Sequence, residues 1–212
     1  MSAAACAHAG DTGFAVKGGT LGGGLDITAA TSETVNLRAN LNGYKYNKNF
    51  TESDIDYKGA LDLRTAGLLL DWHPGGGWFR LSGGAYWNGN KLTLNGQPSA
   101  AATYDINGTT YAGSDVGSLA GTVNFPSVAP YVGIGFDAFA KKKSGFSFTL
   151  DIGLLYQRSP SVSLTATCGS ALPTVTCNQL QSDVAAEQVQ LQDSVKSFRN
   201  WPVVALGIGY KF

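Results

Sequence analysis

The C-terminal stretch constrains the fold more than any other part of the chain. Val204, Leu206, Ile208, Tyr210 and Phe212 place an apolar residue at every second position, with Ala205, Gly207, Gly209 and Lys211 between them. A period of two marks a β-strand with two unlike faces. Termini of soluble domains tend to fray, so a core strand that stops on a large aromatic residue is unusual there. A bacterial outer-membrane barrel has such a strand, closing against its first.

With 212 residues the chain has the length of one domain. Lys and Arg together equal Asp and Glu at 15 each, so no net charge argues for nucleic acid or an acidic partner. No run approaches the roughly 20 apolar residues of a membrane helix. Hydropathy averaging is blind to barrel strands, which are apolar at alternate positions only.

Seven segments carry the period of two: 20–28, 34–46, about 60–72, 78–94, about 120–138, 146–157 and 200–212. Their connections alternate between short (29–33, 73–77, 140–145) and long (47–55, 95–119, 159–199). Up-and-down membrane barrels keep short turns in the periplasm and long loops outside. In the middle long loop, Asn107-Gly108 between Thr103–Ile106 and Thr109–Tyr111 signals a small hairpin. In the last, Leu180, Val184, Leu191 and Val195 fall near helical spacing, which predicts an amphipathic helix over 179–196 packed on the barrel mouth as a lid. If Phe212 ends in the periplasm, seven strands leave residue 20 outside. An eighth strand is then required, and Asp11–Gly19 is the segment able to supply it. The expected fold is all-β: an eight-stranded, antiparallel, up-and-down transmembrane barrel with long extracellular loops, one containing a short helix.

Alternation alone does not separate this from a soluble, lipocalin-like barrel with an apolar interior. The charges do. Asp26, Arg38, Asp71, Arg80, Asp137, Asp151 and Lys211 recur on the non-apolar face among Gly, Ser and Asn. Glycine at so many positions weakens a water-facing strand for nothing, but it suits a small bore. Trp72, Trp87, Trp201, Phe79, Phe146 and Tyr210 gather toward strand ends, as interfacial girdles do. Arg64 is in phase with the lipid-facing set and belongs above the membrane. The inward charges read either as a neutralising plug or, with Tyr44, Tyr86 and Tyr131, as the lining of a narrow path for small zwitterions.

Catalytic chemistry finds little to stand on. The histidines are His8 and His73, the latter in a short turn. Gly19–Gly24 lacks the Lys-Ser/Thr of a phosphate loop, and no Cys/His cluster has metal-ligand spacing. Neither an enzyme, a cofactor nor a metal is expected. Cys168 and Cys177, nine positions apart around Pro173, form either a disulfide in an oxidising compartment or two free thiols. Ala7-His8-Ala9 has the form of a signal-peptidase site, so residues 1–9 read either as the stub of an export signal or as a disordered N-terminal tail, and 10–212 as one barrel domain.

Several stretches are similar to the CarO family, the ornithine-uptake porin type. They are Ala129–Phe136, Leu155–Leu164, Trp201-Pro202-Val203, Asn107–Tyr111 and the Asp71–Pro74 turn, in order along most of 20–212. The resemblance implies an eight-stranded outer-membrane barrel implicated in uptake of small or basic amino acids and in carbapenem entry. The reading is therefore a porin-like, monomeric barrel for slow, selective passage of small polar solutes. The alternative is a non-conducting surface protein acting through its extracellular loops. Partners on the first reading are outer-membrane lipid and lipopolysaccharide, the barrel-assembly machinery and the solutes themselves, without nucleic acid. Leu206, Ile208, Tyr210 and Phe212 would form the assembly signal. Deleting Phe212 is expected to lower the yield of folded, heat-modifiable barrel in the membrane fraction; an unchanged yield would argue against that role.

Overall fold

The computed structural model describes residues 12–52, 55–137 and 144–212; the expected signal stub, Asp11 and most of the 140–145 turn lie outside them. The strands are β1 (Thr12–Gly19), β2 (Gly22–Ala30), β3 (Val35–Glu52), β4 (Ile55–Trp72), β5 (Phe79–Asn88), β6 (Lys91–Pro98), β7 (Thr103–Ile106), β8 (Thr109–Ala112), β9 (Val116–Asn124), β10 (Val128–Phe136), β11 (Gly145–Tyr156), β12 (Ser161–Cys168) and β13 (Asn200–Lys211). Helix α1 spans Thr174–Ser194.

Eight of these strands close into a ring in the order β1, β2, β3, β4, β5, β10, β11, β13, every pairing antiparallel. β1 shuts it, running from Gly13 opposite Lys211 to Gly19 opposite Ala205 while its other edge pairs with β2. The eighth strand is thus the 12–19 segment. Its eight residues are close to the roughly 9–11 that cross a bilayer.

The ring is apolar outside and polar inside. Phe148 is 82% exposed and Leu206 65%, whereas Arg38 is 1% and Asp71 0% exposed. Val16, Ile27, Leu41, Leu68, Val132 and Ile208 are likewise exposed on the outer surface. Water does not tolerate a continuous apolar belt of this extent on a monomer; lipid does. Trp201 departs from the expected girdle. It shares the inward parity of Val203 and Ala205 and packs against the interior cluster.

β3 and β4 are twice the length of a membrane crossing, at 18 residues each, because their pairing continues through the expected 47–55 loop. Phe50 stacks on its cross-strand partner Tyr57 at 5.3 Å between ring centroids. Where β5 leaves β4, β6 takes its place, followed by β9 and β12. The expected 78–94 and 120–138 segments are therefore each two strands, β5/β6 and β9/β10, bent where the chain passes from the ring into an outer headpiece. Asn107 and Gly108 have φ of 52° and 78°, the left-handed pair that a tight β7–β8 hairpin needs.

Helix α1 does not pack on the ring. Its packing partners are β12 and β7, since the apolar partners for Leu180 and Val184 are in the headpiece: Ile106, Tyr111 and Val116. Gln188 and Gln192, one helical turn apart, accept hydrogen bonds from the backbone N–H of Leu164 (2.8 Å) and Val162 (2.9 Å) on the free edge of β12. Four helical residues rise about 6 Å and two strand residues a little more, so the registers match. A disulfide between Cys168 and Cys177 fastens the end of β12 to the first turn of α1.

The hairpin grips the helix through one buried carboxylate. The Tyr111 hydroxyl donates to Asp183 at 2.6 Å, with Gln179 and Asn107 amides on the other oxygen. That hydroxyl holds the Asp183 carboxyl below the usual carboxylate range, and burial followed by the carboxylate pushes the Tyr111 phenol up to about 12. A carboxyl whose folded pKa is depressed contributes stability above its unfolded pKa and loses it as pH falls through the folded value. Helix docking should weaken below about pH 4. Asp183→Asn is expected to lower headpiece stability at pH 7 and to flatten its dependence between pH 6 and pH 3, read by hydrogen exchange across α1.

Candidate functional site

The barrel interior is built by inward-pointing alternate residues and filled in two layers. Toward the short turns lies a lattice of ion pairs. Arg38 on β3 donates from Nε and Nη2 to both oxygens of Asp71 (2.7 and 3.1 Å), from Nη1 to Asp26 (3.1 Å), and from Nη1 and Nη2 to Asp151 (3.1 and 3.2 Å). Arg80 on β5 reaches Asp137 and Asp151, each at 2.6 Å, and Asp71 at 3.3 Å. Lys17 on β1 sits 3.1 Å from Asp26 and 3.9 Å from Asp151. Three cations thus share four carboxylates, every one buried. Ser82 donates to Asp71 at 2.6 Å, and Asn40 donates to Asp26. His73 closes the periplasmic side, buried, with Asn36 donating to its Nε2 (3.2 Å) while Nδ1 faces the Gly77 carbonyl. Both ring nitrogens are thus satisfied.

Above the lattice the bore is apolar. Leu21, Leu69, Tyr86, Ala129, Tyr131, Leu155 and Val203 form one buried cluster, with the two tyrosine rings edge to face at 5.5 Å. Glycines make this possible: a Cβ at Gly67 would lie 2.7 Å from the Tyr86 ring, and one at Gly153 would lie 2.7 Å from the Tyr131 ring. At the outer end, Asn88 and Asn90 donate to the Gln157 side-chain oxygen (2.9 and 3.0 Å). Two buried donors there, Gln157 Nε2 and Trp201 Nε1, have no partner among the described residues.

Of the residues the sequence singled out, Asp26, Arg38, Asp71, Arg80, Asp137 and Asp151 meet in the lattice, and Tyr86 and Tyr131 meet in the layer above it. Lys211 is half-buried near the periplasmic rim, inward like Ala205. Tyr44 is misplaced by the sequence reading. It shares the inward parity but lies one residue past Gly43, the last β3 residue paired with β2. It stands half exposed in the headpiece stretch of β3, stacked on Tyr46 at 6.4 Å. Lys17 was missed, although Phe14 and Val16 against Ala15 and Lys17 carry the same alternation as the other strands. Arg64 faces outward at the ring's upper edge, paired with Asp62 on the same face.

Two crystal structures from Acinetobacter baumannii have this architecture. CarO2 aligns with a TM-score of 0.60 and 21% identity over 95% of this chain and 98% of that one. CarO aligns with a TM-score of 0.59 and 19% identity over 94% and 97%. The fold is that of CarO. No family model and no curated protein sequence matches the chain. A closed strand ring with an outward apolar belt is how proteins cross the bacterial outer membrane, and this CarO-like barrel is an outer-membrane protein.

The lattice is held by competition between two large effects. Stripping charges of water costs several kcal/mol per ion, which Coulomb attraction and complete hydrogen bonding repay only in good geometry. Removing one member leaves its partners stranded. Arg38→Met should destabilise the barrel by about 3–5 kcal/mol, measured by urea unfolding from vesicles. A loss below about 1 kcal/mol, the usual worth of an exposed pair, would deny the lattice this role.

Proposed function

We propose that this CarO-like barrel is closed at rest and passes small polar solutes, amino acids in particular, slowly and selectively by rearranging its interior. The observation that carries the reading is the composition of the seal. A bore can be blocked more cheaply with apolar side chains than with buried charges. Here Arg38 and Arg80 each hold several carboxylates, and those carboxylates are shared. A zwitterion brings one carboxylate and one ammonium, so it can replace an internal pair step by step without leaving a bare charge. The unpartnered Gln157 and Trp201 N–H groups at the outer end suit a solute carboxylate arriving from outside. Lys17, Asp26, Arg38, Asp71, Arg80, Asp137 and Asp151 are the residues assigned to this path.

Partners on this reading are the outer-leaflet lipids around the apolar belt and the assembly machinery that reads Leu206–Phe212. The barrel acts as a monomer and not as an enzyme. The second reading, a sealed anchor that works through its headpiece, is favoured by the two-layer filling, in which Arg38, Asp71, Leu69 and Leu155 are all fully buried. Liposome swelling separates the two. Uptake of glycine and ornithine above empty liposomes, altered by Asp71→Asn, supports slow passage; rates equal to empty liposomes support the sealed anchor.

A further inference from the structure

The headpiece contains a cavity that neither layer of the bore explains. It measures about 240 Å³. Leu94, Leu119 and Leu164 of β6, β9 and β12 line its sheet side, Ile106 of the hairpin one end, and Val184 and Leu191 of α1 the roof. These strands present the inward parity of the headpiece sheet, so the cavity lies between sheet and helix, away from the membrane belt. The cavity is open to solvent on one side, where Leu191 is exposed, and a concave, mostly apolar site of this kind accommodates a small guest that buries its apolar part there.

One charged group opens onto it. Glu187 of α1 lines the cavity, half buried, and makes no hydrogen bond or ion pair with the described residues. Nearby glutamines are occupied: Gln188 and Gln192 bind the β12 edge and Gln190 binds Asn107. Apolar walls with a single free carboxylate at the edge complement a molecule of opposite polarity, with a compact apolar body and one cationic head.

We propose that the cavity between α1 and the β6–β9–β12 sheet is a binding site for small amphipathic amines, with Glu187 as the counter-charge. Placed in the outward headpiece, it meets such compounds before they reach the bilayer. The site is independent of the bore and stands whether or not the barrel conducts.

The test uses the full chain refolded in detergent, with protonated 2-phenylethylamine as the probe and 2-phenylethanol as its neutral counterpart, titrated at pH 7 by calorimetry. The amine is expected to bind saturably and the alcohol more weakly. Glu187→Gln should weaken the amine at least tenfold and leave the alcohol unchanged. Val184→Phe, which fills the cavity from the helix side, should abolish both. Absence of saturable amine binding, equal binding of amine and alcohol, or an amine affinity indifferent to Glu187→Gln would each overturn the proposal. Glu187 stabilises no described contact, so the Gln variant decides the matter even if Val184→Phe disturbs the headpiece.

Discussion

Hydrocarbon offers no partner to a backbone N–H, and that single constraint shapes this molecule. Each strand that crosses lipid must find a neighbour on both edges, which only a closed ring provides. Closure falls to β1, whose eight residues pair with β2 on one side and β13 on the other. Once the ring is shut, its two faces are assigned: apolar residues must point to lipid, and the residues between them must share a narrow bore. The ion-pair lattice, the tyrosines laid over glycines and the amide cluster at the outer end are all solutions to filling that bore.

The sequence was most legible where the membrane imposes strict alternation. Val204–Phe212 and Phe146–Tyr156 alternate cleanly because one face meets lipid throughout, and both are strands in the ring. Parity of crossings then exposed the need for a strand near 11–19. Legibility failed where lipid ends. Beyond Gly43, β3 carries Lys45, Asn47 and Asn49 on its outer face and Tyr44 and Tyr46 on the other, so the lipid-facing apolar pattern stops although the strand continues. β12 was hidden for the same reason. Its outward residues are Ser and Thr, and its partners lie some forty residues upstream.

The interior was only partly legible. Charges in phase with glycine pointed to a shared face, but not to which carboxylate each arginine would hold. That depends on strand stagger around the ring, which brings Asp151 of β11 to Arg38 of β3 across the bore. Nor did the pattern reveal that Leu69, Leu155 and Val203 would form a separate apolar layer. Leu69 lies between Gly67 and Asp71 and Leu155 between Gly153 and Gln157 on their inward faces, and they become a cluster with Val203 only when several strands converge.

The glutamine contacts along β12 have a consequence for life in a crowded membrane. The headpiece sheet is not closed, so its last strand would present unpaired N–H and C=O groups to whatever passes, and exposed edges recruit strands from other chains. Gln188 and Gln192 occupy the N–H groups of Leu164 and Val162, and Gln192 also takes the Pro160 carbonyl. A helix thereby stands where a further headpiece strand or a neighbour's edge would otherwise dock. At the outer end, side-chain amides imitate the backbone of a strand that is not there, and that closes the edge to further pairing.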